Sequence, residues 1–314
     1  MPVPEILCVG EVLWDSLPDG LFLGGAPLNV ACHLRALGVP AAIASRVGED
    51  VLGAEVLRRL PRHGLATDLI QVDPVLPTGL ARVTLDDDGS PGFEIVEPAA
   101  WDAIEATDAL LGRAAGARAI VFGSLAQRAE VTRRTLERLC ETGALKVFDV
   151  NLRPPYDDRE IIRRSLERAD LVKLSEQELA QLRAWFGLPG GLREATAALA
   201  GAFGCGTVCV TRGEAGAVLW REGRWSEHPG FRVQVRDTVG AGDAFLAALL
   251  AGLLDGKDDG AVLRQANLIG AYVASQPGAV PEYREEAIAR IAAGERPEAG
   301  RAGRRGAQRP ARKA

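Results

Sequence analysis

From residue 119 onward the chain repeats one pattern: a short, continuous apolar run, then glycine or a small polar residue, then a longer segment with helical spacing. The apolar runs span 119–122, ending at Gly123-Ser124; 146–150, ending at Asn151; 171–174, ending at Ser175; and 207–210, ending at Thr211-Arg212-Gly213. Strands covered on both faces need such continuous runs. Their alternation with helices predicts an α/β fold, a doubly wound, mostly parallel sheet with helices on both faces. Crossovers between parallel strands are right-handed, so these strand ends reach one edge and line one crevice, where a nucleotide would lie. Toward the N-terminus, 6–9 is a further buried strand breaking into a loop at Gly10-Glu11, 41–47 another strand, and 51–60 a helix stopped by Pro61.

Two segments depart from this pattern. Between Thr78 and Glu97, Ala81, Val83 and Leu85 alternate with Arg82, Thr84 and Asp86, and Asp88-Gly89 supplies a hairpin turn before Phe93-Glu94-Ile95-Val96. These are strands of a small sheet with one wet face. The segment after residue 10 carries Asp15 in a loop, turns at Pro18-Asp19-Gly20, and continues through Leu21-Phe22-Leu23 to Gly24-Gly25-Ala26-Pro27-Leu28-Asn29. Adjacent glycines let a ligand lie against the backbone, and Asp15 and Asn29 can exchange hydrogen bonds with hydroxyls. From spacing alone the better reading is that they are turn and cap residues, with Asn29 opening a helix over 30–37. Trp101 packs in the core or walls a pocket.

The stretch richest in chemistry is Asp237-Thr238-Val239-Gly240-Ala241-Gly242-Asp243, followed by an alanine- and leucine-rich run of strong helix formers. A glycine loop feeding a helix N-terminus presents the unpaired N–H groups of Gly240, Ala241, Gly242 and Asp243, with the positive end of the helix dipole, to an anion. A carboxylate among such amides repels phosphate unless it has a task, and a general base for a hydroxyl proton is that task. Helix capping is the other use for Asp243.

With 314 residues, 47% apolar and 25% charged, the chain has material for one large domain or two ordinary ones. The formal charge of −5 hides an asymmetry: residues 295–314 carry +5, leaving the body near −10. An acidic body speaks against a nucleic-acid surface. The basic tail, with almost nothing to bury, predicts disorder, a solvated extension in preference to an RNA or membrane contact. Five scattered cysteines and three histidines form no metal spacing, pointing to a reduced, cytoplasmic protein. No stretch has the length and apolarity of a membrane span, and no export signal is evident. Neither a G-x-x-x-x-G-K-[ST] loop nor the H-R-D and D-F-G pair of protein kinases occurs.

DTVGAGD followed by a small residue and Phe245 resembles the C-terminal signature of the ribokinase-like (PfkB) sugar kinases. GEVLWD, GGAPLNVA and Gly48-x-Asp50-x-x-Gly53 are similar to N-terminal motifs of the bacterial fructokinases among them. The resemblance covers residues 5 to about 285. It implies one α/β kinase domain over 1–294, with a β lid from 12–26 and 76–98. It implies Asp243 as catalytic base, with Gly240, Ala241 and Gly242 as its anion hole, and places sugar hydroxyls on Asp15, Gly24, Gly25 and Asn29. Ribokinases usually have lysine after the paired glycines; Ala26 stands here, which moves the expectation from ribose to fructose.

Asp149-x-Asn151-x-Arg153 resembles a segment of fructokinases and 2-keto-3-deoxygluconate kinases. There Asn151 and Arg153 would meet phosphate or a sugar acid, unless Arg153 is spent on a surface ion pair. Thr211, Gly213 and Gly216 match the family's T-x-G-x-x-G turn beside ATP, and Asn267 its adenine pocket. Glu178 matches the acidic residue that acts on Mg²⁺ through water, with Ser175 in place of the family's asparagine. Asp237, with the 277–279 turn, matches a monovalent-cation site, so K⁺ joins ATP and Mg²⁺ among the implied cofactors. The implied partners are a small-molecule sugar and ATP, with pairing of two copies through the lid left open. The implied activity is ATP-dependent phosphorylation of a sugar primary hydroxyl, fructose first. A 2-keto-3-deoxygluconate kinase, another PfkB sugar kinase, and a non-catalytic nucleotide or sugar sensor are the alternatives.

Overall fold

The computed structural model describes residues 5–17, 20–85 and 91–294. The turn at Pro18-Asp19, Asp86 with the Asp88-Gly89 turn, and the basic segment 295–314 lie outside the described residues. In chain order the strands are β1 (Ile6–Val9), β2 (Leu13–Leu17), β3 (Gly20–Gly24), β4 (Ala41–Gly48), β5 (Ile70–Asp73), β6 (Gly79–Leu85), β7 (Pro91–Ile95), β8 (Ala119–Gly123), β9 (Leu145–Asp149), β10 (Leu171–Ser175), β11 (Thr207–Thr211), β12 (Ala217–Arg221) and β13 (Arg224–His228). The α-helices are α1 (Ala26–Ala36), α2 (Val51–Arg59), α3 (Asp108–Ala115), α4 (Glu130–Leu139), α5 (Arg159–Arg168), α6 (Glu176–Phe186), α7 (Leu192–Phe203), α8 (Ala241–Leu254), α9 (Asp259–Ala274) and α10 (Glu285–Ala292).

Nine strands form the main sheet in the order β13-β12-β11-β10-β9-β8-β1-β4-β5. All its pairings are parallel except those of β11 with β12 and β12 with β13. The period of two along a strand divides each apolar run between two cores. Ile6 and Cys8 of β1 face one core with residues of α1, α2, α8, α9 and α10, whereas Leu7 and Val9 face the other with residues of α3 to α7. Helices therefore cover both faces of a mostly parallel sheet, as the sequence predicts.

β1 pairs with β4 on one side and β8 on the other, in register at Ile6 with Ala41 and Ala119. The chain thus builds outward from β1 in one direction and returns to build in the other. That reversal opens a crevice beyond the C-terminal ends of the central strands.

A separate four-stranded sheet, β3-β2-β6-β7, is built from the two departing segments. β2 runs parallel to β6, and the other two pairings are antiparallel. Asp15, expected in a loop, lies on β2, in register with Phe22 of β3 and Ala81 of β6. Patterning misses it because the five residues of β2, LWDSL, lack the apolar–polar alternation that marks a half-buried strand.

Two helix starts decide the site. α1 begins at Ala26, with Gly25 as N-cap and Pro27 in the first turn, a position where its missing N–H costs nothing. Asn29, expected to cap a helix over 30–37, is instead inside the first turn and free to point elsewhere. Helix α8 is buried continuously from residue 244 to 251, wedged between α1 and α9, as a helix apolar on all sides must be. Its N-cap, Gly240, has φ 76°, and a Cβ there would lie 2.3 Å from the Ala279 carbonyl oxygen. Only glycine meets both conditions.

Candidate active site

Asp243 occupies the third position of α8 and is 8% exposed. It caps nothing, since the cap position belongs to Gly240 and has no side-chain hydrogen bond. Instead Asn29 Nδ2 donates to Asp243 Oδ2 at 2.8 Å across 214 residues of chain. Burial pushes the Asp243 carboxyl up, opposed by the Lys173 ammonium, the Asn29 hydrogen bond and the Arg153 guanidinium. The Ala241 amide makes a long 3.3 Å bond to the Thr238 carbonyl. Among the described residues the Gly240, Gly242 and Asp243 amides have no backbone acceptor, leaving donors for an anion at this helix end.

The loop after β1 and the start of α1 meet beside Asp243, and strand β2 lies against the residues that lead into α1. A Cβ on Gly24 would lie 2.5 Å from Asp15 Oδ2, so the Asp15 carboxyl rests against bare backbone. Burial raises Asp15 to about 6, with Arg153 opposing. Asn29 Oδ1 is buried and unpartnered, an acceptor waiting for a hydroxyl. Glu11, which the sequence reading left without a role, is 3% exposed, with Oε2 also unpartnered. Burial lifts its carboxyl to about 7, against its own amide, the Arg153 charge and the Ala26 amide, while Asp243 adds to the rise. Asn151 sits at the end of β9 with φ 39°, a conformation asparagine tolerates. Arg153 is exposed and enters no ion pair among the described residues; its charge is felt instead by Glu11, Asp15 and Asp243.

Under this loop lies a buried ion pair. Lys173 Nζ on β10 donates to both Asp149 oxygens at the end of β9, at 2.9 and 3.1 Å. Burial raises Asp149 to about 6, with Lys173 opposing. Burial alone would lower Lys173, but Asp149, Glu178 and Asp243 more than reverse it. Glu178 closes a capping box on α6, taking the Ser175 amide at 2.7 Å while Ser175 Oγ accepts from the Glu178 amide at 3.2 Å. Its other oxygen takes the Leu152 amide at 2.8 Å, so Glu178 ties α6 to the Asn151–Arg153 loop. The serine standing for asparagine here is a helix cap.

From Gly242 a cleft of about 990 Å³ runs along the sheet edge, ample for a nucleotide-sized ligand. Thr211, Gly213 and Gly216 line one part, Ala241 and Gly242 another, and Asn267 with Ala271 and Ala274 a third. Asn267 Nδ2 donates to the Leu263 carbonyl at 2.7 Å, which fixes the amide. An apolar wall of Phe231, Val233 and Val235 completes the cleft; it lies in a stretch with no regular secondary structure, so periodicity could not signal it. Lys173 had a signal: a lone charge within the apolar run 171–174, where charged residues are rarely buried unpaired. Glu11 had a weaker one, a carboxylate at the end of a buried strand.

Asp237 accepts from the Val239 amide at 3.0 Å and the Gly278 amide at 3.1 Å, joining the α8 loop to the 277–279 turn. Among the described residues no group of three or more His, Cys, Asp or Glu side chains is arranged to hold a metal. Trp101 is fully buried, in the core. All five cysteines are free, and no helix among the described residues is long and apolar enough to cross a membrane.

Residues 20–285 match the family described as pfkB family carbohydrate kinase. The chain is 34% identical over 263 residues to the fructokinase of Klebsiella pneumoniae, covering 79% of this chain and 84% of that protein. Its fold superposes on the fructokinase of Xylella fastidiosa, solved with bound ATP, with a TM-score of 0.77 and 27% identity over 91% of this chain and 97% of that one. A double-mutant fructokinase from Vibrio cholerae O395, solved with fructose, ADP and potassium ion, gives 0.76 and 25% over 92% and 98%.

Proposed function

Because the chain belongs to the PfkB family of carbohydrate kinases and is an ATP-dependent sugar kinase, we propose that it converts fructose to fructose 6-phosphate with Asp243 as general base. The observation that carries this reading is the 2.8 Å bond between Asn29 and Asp243. It joins the start of α1, directly after the Gly24–Gly25 backbone against which Asp15 rests, to the helix end where the nucleotide cleft stops.

In this reading fructose hydroxyls meet Asp15, the Gly24-Gly25 backbone and the free Asn29 Oδ1. The primary hydroxyl then lies between Asp243 and the γ-phosphate. Asp243 takes the hydroxyl proton as the sugar oxygen bonds to γ-phosphorus and the bond to the β,γ-bridging oxygen breaks; ADP leaves with that electron pair. The amides at 240–242 and the α8 dipole hold the charge that collects on the transferring oxygens. Positioning and charge stabilisation supply most of what phosphoryl transfer needs from a protein. The cleft would take ATP, with Asn267 and the Phe231 wall at the base and Thr211, Gly213 and Gly216 near ribose and phosphates. Each Glu178 oxygen accepts one amide and keeps a lone pair for water, so Glu178 is suited to an outer-sphere role toward Mg²⁺. The metal, when bound, would neutralise phosphate charge. Potassium would sit by Asp237, where the two turns are already joined; the Vibrio fructokinase structure lends support. Fructose in that structure and the relatives' names support the substrate.

One observation favours a second substrate class: Arg153 enters no ion pair among the described residues and its charge acts on Glu11, Asp15 and Asp243, so it could take a sugar-acid carboxylate. A coupled ADP-release assay across fructose, ribose, adenosine and 2-keto-3-deoxygluconate separates the readings. Fructose is expected to give the highest kcat/KM. A competitor ahead by about tenfold or more, some 1.4 kcal/mol, overturns the fructose assignment, and the keto-acid in that position transfers it to Arg153.

A further inference from the structure

Lys173 is a lysine almost sealed from solvent, its side chain 8% exposed and that of its partner Asp149 5%. Two of its three N–H donors go to Asp149. A Cβ added to Gly242 would lie 3.2 Å from Nζ, so the ammonium abuts the first turn of α8, one residue before Asp243. A buried ion pair of this kind adds little net stability, because desolvation of both charges offsets their attraction. Its position beneath the reacting groups calls for another explanation.

We propose that Lys173 is a positioning residue for phosphoryl transfer: anchored by Asp149, its ammonium keeps the buried Asp243 carboxylate ionised and ready to accept the substrate proton. This rests on the reading of Asp243 as the base. Burial in the apolar bed of α8 drives Asp243 toward its neutral form, and Lys173 is the foremost group opposing that drive. The other groups around the pair are accounted for. Lys173 is faced by Asp149 from β9, Glu178 from α6 and the Cys209 thiol from β11. Asp243 is faced by the neutral Asn29 of α1, by Arg153, and by Glu11 from the end of β1. Asp149 competes with Asp243 for the same ammonium.

That competition makes opposite substitutions distinguishable. Rate rises with pH as Asp243 loses its proton, so a higher Asp243 pKa moves the acidic limb of the kcat/KM profile to higher pH. Lys173→Met should move the limb up by about one pH unit, with the KM for fructose little changed. Asp149→Asn releases the ammonium to Asp243 and should move the limb down. The double variant Lys173→Met/Asp149→Asn replaces the ion pair with neutral groups, avoids a stranded buried charge, and should show an upward shift smaller than that of Lys173→Met, because the Asp149 charge that repels the Asp243 carboxylate goes with the lysine. A merely structural pair predicts the same loss from either single change and no limb shift in the folded double variant; that result overturns the proposal. So does a limb unmoved in Lys173→Met while the KM for ATP rises, which would make Lys173 an ATP-phosphate ligand. Failure of the base assignment is read separately, from an Asp243→Asn enzyme that stays active.

Discussion

Replacing Asp243 with asparagine isolates one proton acceptor in a site that otherwise keeps its shape. The side chain caps no helix, so no cap is lost. Asn29 Nδ2 donates to one carboxylate oxygen, and the amide oxygen of the new asparagine can accept the same bond. The change removes a buried charge that burial already disfavours, and with it a favourable interaction with the α8 dipole of about 0.3–1 kcal/mol. These effects oppose each other, so Tm should stay close to wild type and the KM for fructose should change little. Catalysis has no such compensation, because an amide cannot take up the hydroxyl proton. Loss of a general base costs roughly 10²–10⁴ in rate, equivalent to about 2.7–5.5 kcal/mol of barrier. The assay is coupled ADP release at saturating fructose and Mg·ATP, with a thermal melt on the same preparation. An Asp243→Asn enzyme that keeps more than about a third of wild-type kcat, a loss under about 0.7 kcal/mol, would refute the base assignment.

Three further outcomes follow from the geometry. The four-stranded sheet is proposed as a lid, so saturating fructose should slow hydrogen exchange at backbone amides of β2 and β6; unchanged exchange there would indicate a static pocket. Glu11, lifted from 4.5 to about 7 by burial, is more easily protonated folded than unfolded. Its contribution to stability is therefore full below about 4.5 and is lost as pH rises through about 7, on the order of 3 kcal/mol. Glu11→Gln, neutral at every pH, should gain Tm relative to wild type across that window, and a Tm difference independent of pH would count against a buried, proton-binding Glu11. Asp237→Ala cuts the link between the α8 loop and the 277–279 turn; kcat in potassium relative to a bulky organic cation should fall toward one, and an undiminished potassium response would place the cation elsewhere.

The architecture and the chemical centre were legible in the sequence because both are written in local rules. Continuous apolar runs bounded by glycine and small polar residues announce covered parallel strands. A glycine loop before a run of helix formers announces an anion-ready helix end, whatever the rest of the chain does. The motif carrying Asp243 combines that geometry with a carboxylate that could serve as base or as cap, and kinase chemistry came into view only through the resemblance of the whole DTVGAGD pattern to the PfkB signature. What tertiary structure decided is which distant groups share that centre. Asn29 reaches Asp243 across 214 residues, and it does so because α1 starts at Ala26 and leaves Asn29 uncommitted. Asp15 lies on a strand paired on one side by neighbouring β3 and on the other by β6, more than sixty residues away. Lys173 and Asp149 lie in separate strands with one sheet ladder between them, and the worth of their charges depends on burial and on the neighbouring α8 turn. Charge in a low-dielectric interior acts through distance and desolvation, both properties of the folded chain, whereas strand and helix patterning acts through neighbours in sequence.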